Sequence, residues 1–151
     1  MKIGKLILIL STLFFSSSLL VFAEPHAVKI IDLNNKQECV LIKNEGKTTI
    51  DLNGWQLHDQ ANNKSKKHLY TFKALQLKPG EILQVQSGIS KKAQAENPQA
   101  AKLKDANHYI FWTNSKVWND AFDVAYLRDD KGNLVDEKQN GKSALKKSSG
   151  K

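Results

Sequence analysis

Short apolar runs, each ended by a turn signal, are the feature that most limits what this chain can fold into. Trp55-Gln56-Leu57 and Tyr70-Thr71-Phe72 alternate apolar and polar residues, as half-buried strands do. Turn-forming residues separate the runs, for example at Asn53-Gly54 and at Lys78-Pro79-Gly80. About eight such runs occur at a spacing of roughly ten residues, which is typical of a β-sandwich or a β-barrel. The sequence therefore predicts an all-β fold.

One segment breaks this pattern. Residues 88–107 are rich in Ala and Lys, and Asn97-Pro98 lies in their middle. Asn is favoured as a helix cap, and Pro is favoured as the first residue of a helix. Because long structureless loops are unusual in compact domains, we expect a short helical insertion of one or two turns near Gln99–Lys104.

The N-terminus has the pattern of an export signal. Lys2 and Lys5 precede an apolar stretch at residues 6–22, and Val21-Phe22-Ala23 fits a cleavage site. The alternative is an uncleaved anchor, but an unbroken membrane helix needs roughly 20 apolar residues, and three serines interrupt this stretch. We expect residues 1–23 to be a signal peptide, and the mature protein to be periplasmic or secreted, without a stable membrane span.

The positive charge is unevenly distributed. The net charge of +8 divides into +2 for residues 1–23, −1 for 24–27, +2 for 28–137 and +5 for 138–151. The last segment is rich in Ser and Gly, and it has too few apolar residues to order itself. We expect a disordered basic tail at 138–151, which either binds nucleic acid, anionic lipid or acidic wall polymer, or only keeps the protein soluble.

Further lysines lie in two polar segments of the predicted domain. If these segments share one end of the sandwich, they form a basic patch that suits an anionic polymer; the alternative is an ordinary solvated surface. All but one of the 23 basic residues are Lys, whereas guanine recognition favours Arg, so sequence-specific nucleic-acid binding is not expected. The candidate polyanion-binding residues are Lys64, Lys66, Lys67, Lys91, Lys92, Lys142, Lys146 and Lys147.

No motif indicates a metal, a cofactor or a catalytic centre. The four histidines lack metal-ligand spacing, and no neighbouring residue selects a pairing of Cys39 with His58. The acidic residues near residues 120–136 do not form a calcium-loop motif, and no nucleophile motif is present. The single cysteine excludes an intramolecular disulfide; Cys39 should face away from Val40 and Ile42, as a half-buried residue or as a free or intermolecular thiol.

The order of several motifs resembles the lamin-tail domain, which occurs in nuclear lamins and in many exported bacterial proteins. The resemblance covers about residues 28–137, and it implies an immunoglobulin-like antiparallel β-sandwich with a binding or scaffolding role. Some relatives accompany nucleases or surface proteins as accessory domains. The matching motifs are residues 38–44 (ECVLIKN), 51–59 (DLNGWQLHD), 70–72 (YTF), 77–81 (LKPGE), 117–120 (VWND), 123–127 (DVAYL) and 130–136 (DKGNLVD).

The sequence departs from the family pattern at three places. Leu41 stands where the family often has an acidic residue, and Phe122 stands where a Gly commonly precedes the Asp. The stretch 88–107 is longer than the usual connector. These are the places where the surface or the partner should differ from those of relatives.

Together, these features predict an exported, non-enzymatic interaction or scaffolding module. Its partner would be a protein or an anionic polymer. The alternative is an extracytoplasmic binder of DNA or another polyanion that uses the basic tail and loops; a small hydrolase is less favoured. The residues to which we assign structural roles are Gly54, Trp55, Phe72, Gly80, Trp118, Asn119, Asp123 and Gly132.

Overall fold

A computed structural model describes residues 27–60, 68–97, 99 and 101–141. The predicted signal peptide and residues 142–151 of the predicted tail lie outside the described residues. Within the described part, no helix has the length and apolar character needed to cross a membrane. The elements are β1 (Val28–Asn34), β2 (Cys39–Asn44), β3 (Ile50–Asp51), β4 (Gln56–His58), β5 (Leu69–Thr71), β6 (Gln76–Leu77), β7 (Ile82–Ser87), α1 (Lys91–Glu96), β8 (His108–Thr113), β9 (Phe122–Arg128) and β10 (Leu134–Gly141).

The strands form two four-stranded sheets. The first sheet has the order β1-β2-β7-β8, the second has the order β10-β9-β4-β5, and β3 pairs with β6 in a separate ribbon. This arrangement confirms the predicted immunoglobulin-like β-sandwich. One pair departs from the antiparallel prediction, because β7 and β8 are parallel. The long connector at residues 88–107 explains the difference, since parallel neighbours need a crossover of a dozen or more residues.

The core lies between the two sheets and follows from the alternation of each strand. In β7, for example, Leu83 and Val85 point into the core, whereas Gln84 lies on the other face. Trp55 is 8% exposed and Trp118 is 2% exposed, as the fold prediction required. Burial of each large aliphatic side chain in such a core contributes roughly 1.5–3 kcal/mol.

Side chains of β10 tie the two sheets together along one side. The Asp136 carboxylate accepts a hydrogen bond from the Ile30 amide at 2.8 Å, and Asn140 donates from its side chain to the Leu33 carbonyl. The register of both edge strands shifts here, between Ile30 and Asp32 in β1 and between Leu134 and Asp136 in β10. Side chains of β10 therefore bond to backbone groups of β1, so each of these two edge strands covers the edge of the other.

The predicted boundary between domain and tail is wrong by four residues. β10 continues to Gly141, where Lys138 pairs with Ala125 and Asn140 pairs with Asp123. The polar composition of this stretch suggested disorder, but backbone pairing with β9 depends little on those side chains, and most of them are exposed or half-buried on an edge strand. The basic excess that follows the domain is therefore carried by Lys142, Lys146, Lys147 and Lys151.

The predicted position of the helix is also wrong. Helix α1 spans Lys91–Glu96, and the Ser90 hydroxyl caps it by accepting a hydrogen bond from the Ala93 amide at 3.2 Å. Asn97, which we expected to begin a helix, ends this one. A serine followed by a run of strong helix formers outweighs the Asn-Pro signal.

The connector then covers the outer face of the first sheet. The Gln84 side chain donates to the Ala101 carbonyl at 2.8 Å and accepts from the Leu103 amide at 2.7 Å. Gln84 is consequently buried, although it does not face the core. Two of the three departures from the family pattern lie on the outer face of the first sheet. Leu41 pairs with Gln84 on the neighbouring strand, and the connector covers Gln84. The third departure, Phe122, lies at one end of the sandwich.

Candidate functional site

The main cleft lies at one end of the sandwich. We call it the hairpin end, because the β1–β2 turn at residues 35–38 lies there with Asp59, Ser87–Ser90, residues 114–121 and Gly141. We call the opposite end, with the β9–β10 turn at residues 129–133, the turn end. The cleft has a volume of about 620 Å³, and its lining includes Asp59, His68, Lys116, Trp118, Phe122 and Asp123.

A buried carboxylate holds the loops of the hairpin end together. Glu38 closes the β1–β2 turn with a positive φ of 57°. Its Oε2 atom accepts hydrogen bonds from the amides of Val117 at 2.8 Å and Trp118 at 3.3 Å, and from the Ser87 hydroxyl at 2.9 Å. Glu38 therefore joins three separate segments of the chain. Glu38 begins the family motif at residues 38–44, but that motif does not indicate this bonding role, because the partners of Glu38 are 49 to 80 residues away in the sequence.

Asp123 supports the cleft from the start of β9. Its Oδ2 accepts from the Asn119 amide at 2.9 Å, and its Oδ1 accepts from the amides of Val124 at 2.8 Å and Gln60 at 3.4 Å. Asn119 is part of the same arrangement, since its side chain accepts from the Ala121 amide and its carbonyl accepts from the Asn35 side chain. Asp123 and Asn119 thus fix the loop that carries Trp118.

Asp59 and His68 form the other wall. The Nδ1 atom of His68 lies 2.6 Å from Oδ2 of Asp59, whose carboxylate is buried. This contact bridges the two ends of the segment 61–67.

The described lysines of the predicted patch lie at the hairpin end. Lys91 and Lys92 are exposed in the first turn of α1, and the side chain of Asn114 donates to the Ile89 carbonyl, which joins the start of the helix to this end. Lys92 lies 3.8 Å from Glu96. The other six candidate lysines lie outside the described residues: Lys64, Lys66, Lys67, Lys142, Lys146 and Lys147.

The described residues next to these lysine-rich segments do lie at the hairpin end. Gln60 and His68, which flank residues 61–67 in the sequence, line the cleft. Gly141, the last described residue, pairs with Phe122 of β9. The flanking residues of both segments therefore lie at the end of the sandwich that carries Lys91 and Lys92.

The remaining residues with assigned structural roles lie in the core or at the turn end. Phe72 is buried, and its amide donates to the Trp55 carbonyl at 2.8 Å. Gly54, Gly80 and Gly132 all have a φ near +80°, and this backbone conformation favours glycine. At Gly54 an added Cβ would also lie 3.2 Å from the Cβ of Asp130.

Cys39 and His58, whose pairing no sequence feature selected, lie on different sheets. Cys39 is buried on the outer face of the first sheet beside a cavity of about 300 Å³. His58 belongs to the second sheet, where it stacks on Tyr126 with ring centroids 5.1 Å apart. Burial raises the pKa of the Cys39 thiol to about 11, and the charges of Asp32 and Glu38 add to the shift. Within the described residues, no three His, Cys, Asp or Glu side chains are grouped to hold a metal.

The sequence comparison agrees with this architecture. The family profile described as Lamin Tail Domain matches residues 23–142. The chain belongs to the lamin tail domain family. The matched region runs from just before β1 to one residue beyond β10, so the lamin tail domain includes the four residues that we had assigned to the tail. No curated protein matches the chain.

Proposed function

We propose that this lamin tail domain is an exported, non-catalytic interaction module that binds its partner at the hairpin end. The observation that carries the proposal is the 620 Å³ cleft, whose loops are held by buried, hydrogen-bonded carboxylates. Rigid positioning of loops by a sandwich is a common basis for binding sites. The predicted signal peptide supports export, with a mature N-terminus at Glu24.

A matched pair of variants tests this function. Phe122 lines the cleft at the start of β9, and Leu134 begins β10 at the turn end. We expect proteins that co-purify with the wild type from the extracytoplasmic fraction to be retained by Leu134→Ala and lost with Phe122→Ala. Thermal melts establish that both variants are folded. Equal co-purification with both would contradict binding at the cleft, and a protein confined to the cytoplasm would contradict export.

A second candidate function is the binding of a polyanion at the same end. It is supported by the position of Lys91 and Lys92 at the same end as the residues that flank two lysine-rich segments. Residues 61–67 carry three lysines and no acid, and residues 142–151 carry four lysines and no acid. Phosphate or sulfate contacts made by such lysines weaken as salt rises. We expect the logarithm of the affinity for heparin or DNA to fall linearly with the logarithm of salt concentration, and absence of binding at low salt would contradict this function.

A further inference from the structure

The β8 edge of the first sheet differs from the other edges of the sandwich. β1 and β10 are closed on each other through Asp136 and Asn140, and β5 has only three residues. β8 has six residues, and among the described strands it pairs only with β7. An unpaired edge of this length is a template for pairing with another strand.

The hydrogen bonds of β7 show which residues of β8 face outward along this edge. The Ser87 amide donates to the Glu38 carbonyl at 2.8 Å, so the odd-numbered residues of β7 bond to β2 and the even-numbered residues bond to β8. Val85 is in register with Ile110, so the even-numbered residues on either side of Val85 bond to the N–H and C=O groups of Ile110. Ile110 therefore directs both groups toward β7, whereas Tyr109 and Phe111 direct theirs away from it.

The strand also lacks the charges that usually protect an edge. Its sequence, HYIFWT, contains no Lys, Arg, Asp or Glu, although such residues are the usual means of preventing edge pairing. Its terminal His108 already contacts Glu81, with Nε2 and Oε2 2.9 Å apart. The whole chain has a net charge of +8, so many surfaces of two copies would repel each other. At β8, two copies can meet without placing like charges opposite each other.

We infer that β8 pairs with β8 of a second copy, antiparallel and centred on Ile110. In this register, Tyr109 of each copy exchanges N–H···O=C hydrogen bonds with Phe111 of the other. Core-facing residues oppose core-facing residues, as a continuous sheet requires. The side chains of Tyr109 and Phe111 oppose each other on the outer face, where cross-strand aromatic pairs stabilise a sheet. The result is one eight-stranded sheet across two sandwiches.

Sedimentation equilibrium over a range of protein concentrations tests this dimer, which does not depend on any partner at the hairpin end. We expect a monomer–dimer equilibrium for the wild type. Phe111→Lys removes both aromatic pairs and should weaken dimerisation by about tenfold or more. Leu134→Lys places the same charge on an exposed residue of β10 and should leave it unchanged. A wild type that stays monomeric at all concentrations, or a folded Phe111→Lys that dimerises as the wild type does, would overturn the inference.

Amide hydrogen exchange of the wild type tests the register without any substitution. The Ile110 amide bonds to β7 and should be protected at every concentration. The amides of Tyr109 and Phe111 should exchange quickly in the monomer and become protected as the dimer forms. Tyr109 and Phe111 amides that remain unprotected in the dimer would overturn the pairing, because another surface would then hold the two copies together.

Discussion

Two buried carboxylates, one at each end of the sandwich, have different kinds of hydrogen-bond partner. At the turn end, Asp129 accepts from the amides of Lys131 and Asn133, and Gly132 donates to the Asp129 carbonyl. At the hairpin end, Glu38 accepts from Ser87, which is 49 residues away, and from Val117, which is 79 residues away. Asp129 thus stabilises its own turn, whereas Glu38 joins segments that are distant in the sequence.

This difference has consequences for stability and for function. The loops that the buried carboxylates join at the hairpin end stand apart and leave a cleft between them. The same carboxylates are points of weakness, because removing one leaves buried amides without acceptors. The hairpin end should therefore be both the binding surface and the end that is more sensitive to substitution.

The largest expected effect comes from removing the buried acceptor at each end. Glu38→Ala leaves the amides of Val117 and Trp118 unpaired and should cost about 3–5 kcal/mol of unfolding free energy. Asp129→Ala disturbs a single turn and should cost about 1–2 kcal/mol. Denaturant unfolding of both variants measures the difference. A smaller cost for Glu38 than for Asp129 would break the comparison between the two ends.

The Cys39 thiol, which follows Glu38, reports on opening at the hairpin end. It is 2% exposed, and its pKa is raised to about 11 from 9.0, so at neutral pH native alkylation should be at least about 100-fold slower than in urea. Because the pKa is raised in the folded state, the stabilising contribution of the neutral thiol is complete below about pH 9 and is lost as pH rises through about 11. Glu38→Ala should accelerate native alkylation, and Asp129→Ala should not.

A thiol on an exposed edge gives the matched control for this measurement. Leu134→Cys in a Cys39→Ser background places the cysteine at a residue that is 45% exposed. It should react at nearly the same rate in the native and unfolded protein. Native Cys39 reacting as quickly as this control would show that the connector does not cover the thiol.

The third effect concerns the affinity for polyanions, which should depend on the lysines of residues 61–67 and 142–151. Truncation after Gly141 removes four lysines and keeps β10 intact, so it should lower the salt needed for elution from heparin without changing the melting temperature. Replacing Lys64, Lys66 and Lys67 by Gln should produce a further decrease. Lys131→Gln at the turn end is the control; an equal decrease with this single change would remove the distinction between the ends.

The smallest effect is expected from a half-buried pair at the turn end. A hydrogen bond from His108 lowers the pKa of Glu81, and a hydrogen bond from the Lys78 amide adds to the shift. A lowered pKa stabilises the fold above about pH 4.5, and the contribution is lost as pH falls through the lowered value. The melting temperature of Glu81→Gln should therefore lie slightly below that of the wild type near pH 6 and approach it in acid.

The comparison of the two ends also explains what the sequence could predict. The turns at Asn53-Gly54, Pro79-Gly80 and residues 129–133 have local signals, and all of them lie at the turn end. The alternation of apolar residues was enough to predict the sandwich and the burial of Trp55 and Trp118. Local patterns of this kind depend on neighbours in sequence, so they are visible without a structure.

The site could be predicted only in part, because its contacts join distant segments. Nothing near Glu38 in the sequence indicates that it accepts hydrogen bonds from residues 117 and 118. The helix was misplaced because Ser90 and Asn97 are both acceptable caps, and only the position of the connector distinguishes them. The boundary at residue 137 was misplaced because β10 is held by pairing with β9 rather than by an apolar pattern of its own.

The most direct test of binding at the hairpin end is photo-crosslinking in living cells. A photoreactive amino acid is placed either at Asn119, on the rim of the cleft, or at Lys131, in the turn at the opposite end; both residues are exposed. The account predicts a discrete crosslinked species from Asn119 and none from Lys131. A crosslinked species from Lys131 alone, or the same species from both positions, would contradict it.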